Sequence, residues 1–161
     1  MIPRDSIAVA PAIGIVQSKK PRYAGKPAPE IATMTIDGEM WYLKNQEGKI
    51  VILDFWATWC KGCIQAMPEL KTLHKKYERS KEVLLVGVAL DKNKSAVVNY
   101  CERNRIGWLQ LFEPGEGFNS SAAVAFGVLR IPQIWIIDQQ GVVAAVFLDM
   151  SQVDDMIKKL L

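Results

Sequence analysis

The sequence predicts an α/β fold, a central mixed β-sheet flanked by α-helices, and three observations predict it. Two short apolar runs, Ile50–Trp56 and Val83–Leu90, alternate with two segments of helical period, Cys60–Arg79 and Lys94–Arg105. Runs of that length, interrupted by charge only at Asp54, read as strands buried on both faces. Half of the 161 residues are hydrophobic, enough to cover such a sheet with helices in one domain. The β-α-β-α order implies a parallel portion joined by right-handed crossovers.

The elements follow in chain order. Residues 1–24 carry Pro3, Pro11 and Pro21 among Lys19, Lys20 and Arg22 and show no sustained period, so they read as a loosely attached leader ahead of a domain spanning 25–161. Ala8-Val9-Ala10 looks like an export-signal cleavage site, but the apolar stretch ahead of it is far too short for a functional signal. Thr33–Ile36 and Trp41–Leu43 flank Asp37-Gly38, the mark of an N-terminal β-hairpin. In the first helical segment Ile64, Met67, Leu70, Leu73 and Tyr77 share a face. Pro68 removes one helix hydrogen bond there and predicts a kink. The second helix turns Val97, Val98 and Cys101 to one side. Trp108–Phe112 is followed by the Gly-rich segment 114–117, a short helical piece at Ala122–Phe126 and a turn at Gly127. Ile134–Ile137 and Val142–Phe147, joined by Asp138-Gln139-Gln140-Gly141, form an antiparallel hairpin. Ser151 with Asp154 is a capping box for a last helix bearing Val153, Met156, Ile157 and Leu160.

Composition narrows the function classes. Lys and Arg number 20 against 17 Asp and Glu, scattered rather than gathered into a stripe, so no nucleic-acid partner is expected. No stretch approaches the ~18 apolar residues of a membrane span; the most apolar one near the start, Ile7–Val16, contains Pro11 and Gly14. Three cysteines do not make a disulfide framework in a chain this long, and two of them lie in one C-x-x-C, Cys60-Lys61-Gly62-Cys63.

That pair sits at a strand-to-helix junction, where it can close a small-loop disulfide. The first cysteine lies where the helix's unpaired N–H groups point, which favours its thiolate. A free thiol titrates near ~8.5, and thiols so placed fall to roughly 3.5–7.5; Lys61 adds a nearby cation. Cys60 is therefore the candidate nucleophile and Cys63 the resolving thiol that releases a partner from a mixed disulfide. A zinc half-site would need two more ligands, and beyond this pair the chain offers only His74 and Cys101 as soft donors. No metal or cofactor is expected. Asp54, six residues before Cys60 in an apolar strand, fits poorly as an exposed edge carboxylate. Burial raises a carboxyl pKa, which suits a proton acceptor for Cys63. Trp59 reads as a shield over the disulfide, with a core tryptophan as the plainer alternative. Cys101 reads as a core residue, and His74 is assigned no chemistry.

The run Asp54-Phe55-Trp56-Ala57-Thr58-Trp59-Cys60-Lys61-Gly62-Cys63, with Pro68 five residues on, resembles the active-site signature of thioredoxins. The resemblance extends from about Gly25 to the end. Gly25-Lys26-Pro27-Ala28-Pro29 and Phe126-Gly127-Val128-Leu129-Arg130-Ile131-Pro132 are similar to the TlpA/ResA-like branch, whose members are mostly extracytoplasmic. It implies a thioredoxin-like fold and a cis bond at Ile131-Pro132 facing the disulfide, with backbone there pairing with a partner's extended chain. Base rate alone gives only ~5% cis for an X-Pro bond. It also implies the proton-relay role for Asp54. Two departures are plain. Ala66 stands where many TlpA-like relatives carry an acidic residue, leaving Asp54 as the evident relay. Lys61-Gly62 replaces the proline-containing pairs that tune the redox potential.

The reading that follows is a thiol-disulfide oxidoreductase, an extracytoplasmic reductase expected as a monomer. Its expected partners are cysteine-containing proteins, apocytochromes among them, and a reducing partner. Three rivals stand beside it. One is a redox-inert binding or chaperone module on the same fold. Another is a peroxidase, which would need a Pro-x-x-x-Thr-x-x-Cys run that Leu53–Cys60 lacks. A copper-delivery protein would want a wider cysteine spacing and a well-placed histidine.

Overall fold

The computed structural model describes residues 23–161; the leader expected over 1–24 falls almost wholly outside them. A five-stranded sheet is ordered β5-β4-β3-β6-β7, formed by β3 (Ile50–Trp56), β4 (Val83–Ala89), β5 (Leu109–Phe112), β6 (Gln133–Ile137) and β7 (Val143–Phe147). The first three are mutually parallel, whereas β6 and β7 run antiparallel, β6 pairing with β3 and β7 with β6. A separate two-stranded hairpin, β1 (Ala32–Met34) and β2 (Met40–Tyr42), precedes it. The helices are α1 (Lys61–Tyr77), α2 (Lys94–Arg103), α3 (Ser121–Ala125) and α4 (Val153–Leu160). This is the mixed sheet with flanking helices and an N-terminal hairpin that the sequence predicts.

β3 is buried at all seven positions, so its alternation assigns residues to two cores rather than to core and solvent. Ile50, Ile52 and Trp56 join Cys60, Cys63, Met67 and Leu70 of the α1 side, with Val97 of α2 and Val153 and Ile157 of α4. Val51, Leu53 and Phe55 join Ala122, Ala123 and Phe126 around α3 and Ile31, Trp41 and Leu43 around the hairpin. Both crossovers from β3 to β5 step across the sheet in one direction, so right-handedness puts α1 and α2 on the same face. Asp54 has the parity of Ile52 and Trp56. It therefore faces the layer that carries the cysteine pair.

The hairpin is stitched to the edge strand: Ile36 N–H donates to the Gln110 carbonyl at 2.9 Å, and Thr35 bridges Leu111. Gly38, at φ 88°, makes its turn, as the Asp37-Gly38 pair predicts. At the other edge Gly25 N–H donates to the Val143 carbonyl at 2.8 Å, and Pro27 bridges Val142, so Val142 pairs outside β7. The expected kink site, Pro68, lies inside α1, which continues to Tyr77.

The expected capping box does not form. α4 begins after Gln152 without a side-chain cap. Ser151 instead turns back, its N–H and hydroxyl both donating to Asp149 Oδ1 at 2.9 and 2.6 Å. Asp154 is claimed by the neighbouring helix, accepting from Lys76 Nζ and Tyr77 Oη at 2.7 Å each. Docking of α4 on α1 thus outcompetes the local cap. Burial works to raise the Asp154 pKa, yet the bonds from Lys76, Tyr77 and Lys158 together hold it down at about 2. No helix among the described residues is long and apolar enough to cross a membrane.

Candidate active site

The parallel strands end side by side and shape the turn that presents the cysteines. Leu90 N–H donates to the Trp56 carbonyl at 2.8 Å, which carries the β3–β4 pairing one step past the strands. Asp91 follows, buried at 3% exposure, and its two oxygens accept from the Thr58 N–H (3.0 Å) and the Thr58 hydroxyl. The chain between β3 and α1 is therefore pinned at Thr58. One residue later Trp59 projects outward, 61% exposed, with its ring 6.1 Å from that of Phe118. This exposure excludes the core-tryptophan alternative.

Cys60 is the N-cap of α1, in extended conformation, and its sulfur accepts from Cys63 N–H at 3.2 Å. A sulfur so placed satisfies one of the helix's unpaired donors and sits at the positive end of its dipole. Cys60 and Cys63 are disulfide-linked with their Cα atoms 5.2 Å apart, and Cys101 is free. Cys60 is 7% exposed and Cys63 only 1%, so the first cysteine is the more accessible. Lys61 and Gly62 are both exposed at the first turn.

The Ile131–Pro132 bond is cis, and the half-buried Pro132 lies directly on the cysteine loop. A Cβ added to Gly62 would sit 3.3 Å from Pro132 Cδ. Ile131, also half-buried, packs against both cores just before the pairing of β6 begins at Gln133.

Beneath the pair, Asp54 is 2% exposed and its Oδ2 has no hydrogen-bond partner. Burial alone pushes its carboxyl up to about 7. The Trp56 indole N–H, on the same face, donates to Gln110 Oε1 at 2.8 Å across the sheet. Cys101 stands apart from the pair, half-buried on α2, where burial first and the charge of Asp91 second push its thiol up to about 11. His74 lies against Trp108 with ring centroids 5.3 Å apart and its Nε2 3.7 Å from Glu78. Among the described residues no group of three His, Cys, Asp or Glu side chains is arranged to hold a metal.

The structure thus brings Cys60, Cys63, Gly62 and Pro132 together, with Trp59 beside them and Asp54 on the sheet face below. Sequence reasoning misses Asp91 and Gln110. Asp91 has a signal, a carboxylate directly after a buried strand at the end where β3 also stops. Gln110 has one as well, an amide inside the otherwise apolar run Trp108–Phe112.

The fold, with a disulfide-forming pair at the N-terminus of the helix after the central strand, defines a thiol-disulfide oxidoreductase of the thioredoxin type. Residues 24–146 match the AhpC/TSA family, and the chain belongs to it. It is similar to the thioredoxin-like protein YneN of Bacillus subtilis (strain 168), 30% identical over 137 residues that cover 84% of this chain and 78% of that protein. It is also 30% identical over 128 residues to the thiol-disulfide oxidoreductase ResA of Bacillus anthracis, covering 80% of this chain and 71% of the relative. Among solved structures, a thiol-disulfide oxidoreductase from Bacteroides fragilis NCTC 9343 superposes with a TM-score of 0.77 at 25% identity, covering 84% of this chain and all of that one. A thioredoxin-family thiol:disulfide interchange protein from Chlorobium tepidum TLS gives 0.71 at 26% identity, covering 88% and 99%.

Proposed function

We propose that the protein exchanges disulfides with cysteine pairs of partner proteins as an extracytoplasmic reductase, Cys60 attacking and Cys63 resolving. The observation that carries this reading is Cys60 at the N-cap of α1, its sulfur on the Cys63 N–H and the residue as a whole more exposed than Cys63. In the reduced protein the Cys60 thiolate attacks one sulfur of a partner disulfide. That S–S bond breaks, and the other partner sulfur leaves as a thiolate and takes up a proton. Asp54 accepts the Cys63 proton, and the new thiolate attacks the Cys60 sulfur of the mixed disulfide. The second partner sulfur leaves and is protonated, the Cys60–Cys63 bond closes, and two electrons have passed to the partner. A separate reducing dithiol must return them.

Trp59, Ile131 and Pro132 are the surface on which the partner's chain docks, a reading supported by the exposure of Trp59 and the seat of Pro132 on the cysteine loop. Lys61 and Gly62 tune the pair, Lys61 by its charge and Gly62 by leaving room for the proline ring. The TlpA/ResA-like resemblance supports the extracytoplasmic placement, an electron-transport role and apocytochromes as partners. Peroxide reduction is disfavoured, because Leu53 and Ala57 stand where the peroxidase run has Pro and Thr.

Trapping tests the reading. Cys63→Ser should accumulate mixed disulfides through Cys60, and mass analysis of envelope extracts should identify proteins with cysteine pairs. Absence of any captured partner, with Cys60 still open to alkylation, would favour the redox-inert binding module.

A further inference from the structure

The side chains of Trp56, Gln110 and Asp54, on the face below the cysteines, form an incomplete polar chain. Asp54, Gly87 and Gln110 occupy one row of the sheet, Asp54 paired to Gly87 and Gly87 to Gln110. Residues in such a row point to one face, and adjacent strands lie about 4.8 Å apart. Gln110 on β5 reaches Asp54 on β3 only by crossing β4, and Gly87 lets it cross. A Cβ at residue 87 would collide with the Gln110 amide, whose oxygen, nitrogen and carbonyl carbon are its nearest neighbours.

The orientation of that amide is fixed. The Trp56 indole can only donate, so it selects the Gln110 oxygen at 2.8 Å and leaves the NH2 group as the other end. That nitrogen is buried without a partner, and so is Asp54 Oδ2. An orphaned donor and an orphaned acceptor, in register on one face with a single glycine strand between them, complement each other.

We propose that Gln110 is a positioning residue for Asp54: its amide NH2, aimed by the Trp56 indole through the gap at Gly87, donates to the Asp54 carboxylate through one water. The bond favours the charged carboxyl, because a hydrogen-bond donor binds an ionised acceptor more strongly than a neutral one. It opposes burial, which disfavours that form. Among the described residues no charged side chain acts on the Asp54 carboxyl, which burial alone shifts. α1 brings Cys60, Cys63 and Tyr77 to this core and α2 brings Tyr100 and Cys101, while Asp154 of α4 is held by Lys76 and Tyr77. The inference rests on the reading of Asp54 as proton acceptor for its kinetic consequence, but its effect on the carboxyl stands independently.

The experiment uses the full reduced protein. The Asp54 carboxyl is titrated by carbon-13 NMR, and decay of a Cys60 mixed disulfide with a peptide is followed across pH. Gln110→Leu removes the donor. Gln110→Met removes the donor while keeping the length of the side chain, and serves if the leucine variant folds poorly. Both should move the Asp54 midpoint upward by about one pH unit or more, and the pH profile of the decay phase should follow it while attack by Cys60 is unchanged. In an Asp54→Asn background, Gln110→Leu should have no further effect on decay. An Asp54 midpoint unmoved in both variants would overturn the proposal. A midpoint that moves while decay ignores Asp54→Asn would sustain the Gln110 contact and refute the relay.

Discussion

The ring of Pro132 is seated on Gly62, so the approach to β6 and the first turn of α1 touch beside the cysteine pair. A single methyl at residue 62 would press on the ring at 3.3 Å, and a branched side chain would have to displace it. Gly62→Val should therefore slow reduction of protein disulfides about tenfold or more, the scale of a small misplacement at a reacting centre. Small disulfides that need no docking surface should react at close to the wild-type rate. Parallel kinetics with both substrates check this, and equal slowing would locate the defect in the thiols.

Asp54 should cost stability at neutral pH and little in acid. Its folded pKa is raised by burial to about 7 from an ordinary 3.8. Between those values the native state binds more protons than the unfolded chain, so stability falls as pH rises through the window. The ceiling on that cost at pH 8 is roughly 4 kcal/mol, at about 1.4 kcal/mol per pH unit. Asp54→Asn should be more stable than wild type by about 2 kcal/mol or more at pH 8 and by little at pH 4. Urea unfolding at the two pH values reads the difference, and a gain of equal size at both would contradict the burial argument.

Much of the fold and of the cysteine site is legible in the sequence. β3 can be read to the residue because a seven-residue apolar run has no other stable home, and the C-x-x-C after it locates the site. Asp54 stands out because a carboxylate in such a run breaks the local rule. The capping box at Ser151 fails because sequence spacing cannot show that α4 packs where Lys76 and Tyr77 claim Asp154. Asp91 and Gln110 stand out as polar residues beside and within apolar runs, but what they do is illegible for a related reason. Their roles depend on strand register, which places Asp91 against Thr58 and Gln110 over Gly87, and register is a property of the assembled sheet.

Asp91 should prove a structural anchor of the cysteine turn. Asp91→Ala leaves the Thr58 N–H and hydroxyl without their acceptor and should cost about 2 kcal/mol. Asp91→Asn, which retains an oxygen for the N–H, should cost less. Thermal unfolding ranks them, and an alanine variant as stable as wild type would show that water replaces the carboxylate fully.

Cys101 should stay out of the chemistry. With its thiol pushed up to about 11, brief alkylation of the reduced protein at pH 8 should label Cys60 ahead of Cys101. Peptide mass mapping checks the order. Labelling of Cys101 first would mean that α2 opens readily enough to expose it.

The central claim, attack by Cys60 and resolution by Cys63, is tested most directly by stopped-flow reaction of the reduced protein with a peptide disulfide. Wild type should show a mixed disulfide that forms and then decays. Cys63→Ser should form it at a similar rate and stall, and Cys60→Ser should not form it. A Cys60→Ser protein that attacks as fast as wild type, or a Cys63→Ser protein that completes release, would contradict the assignment.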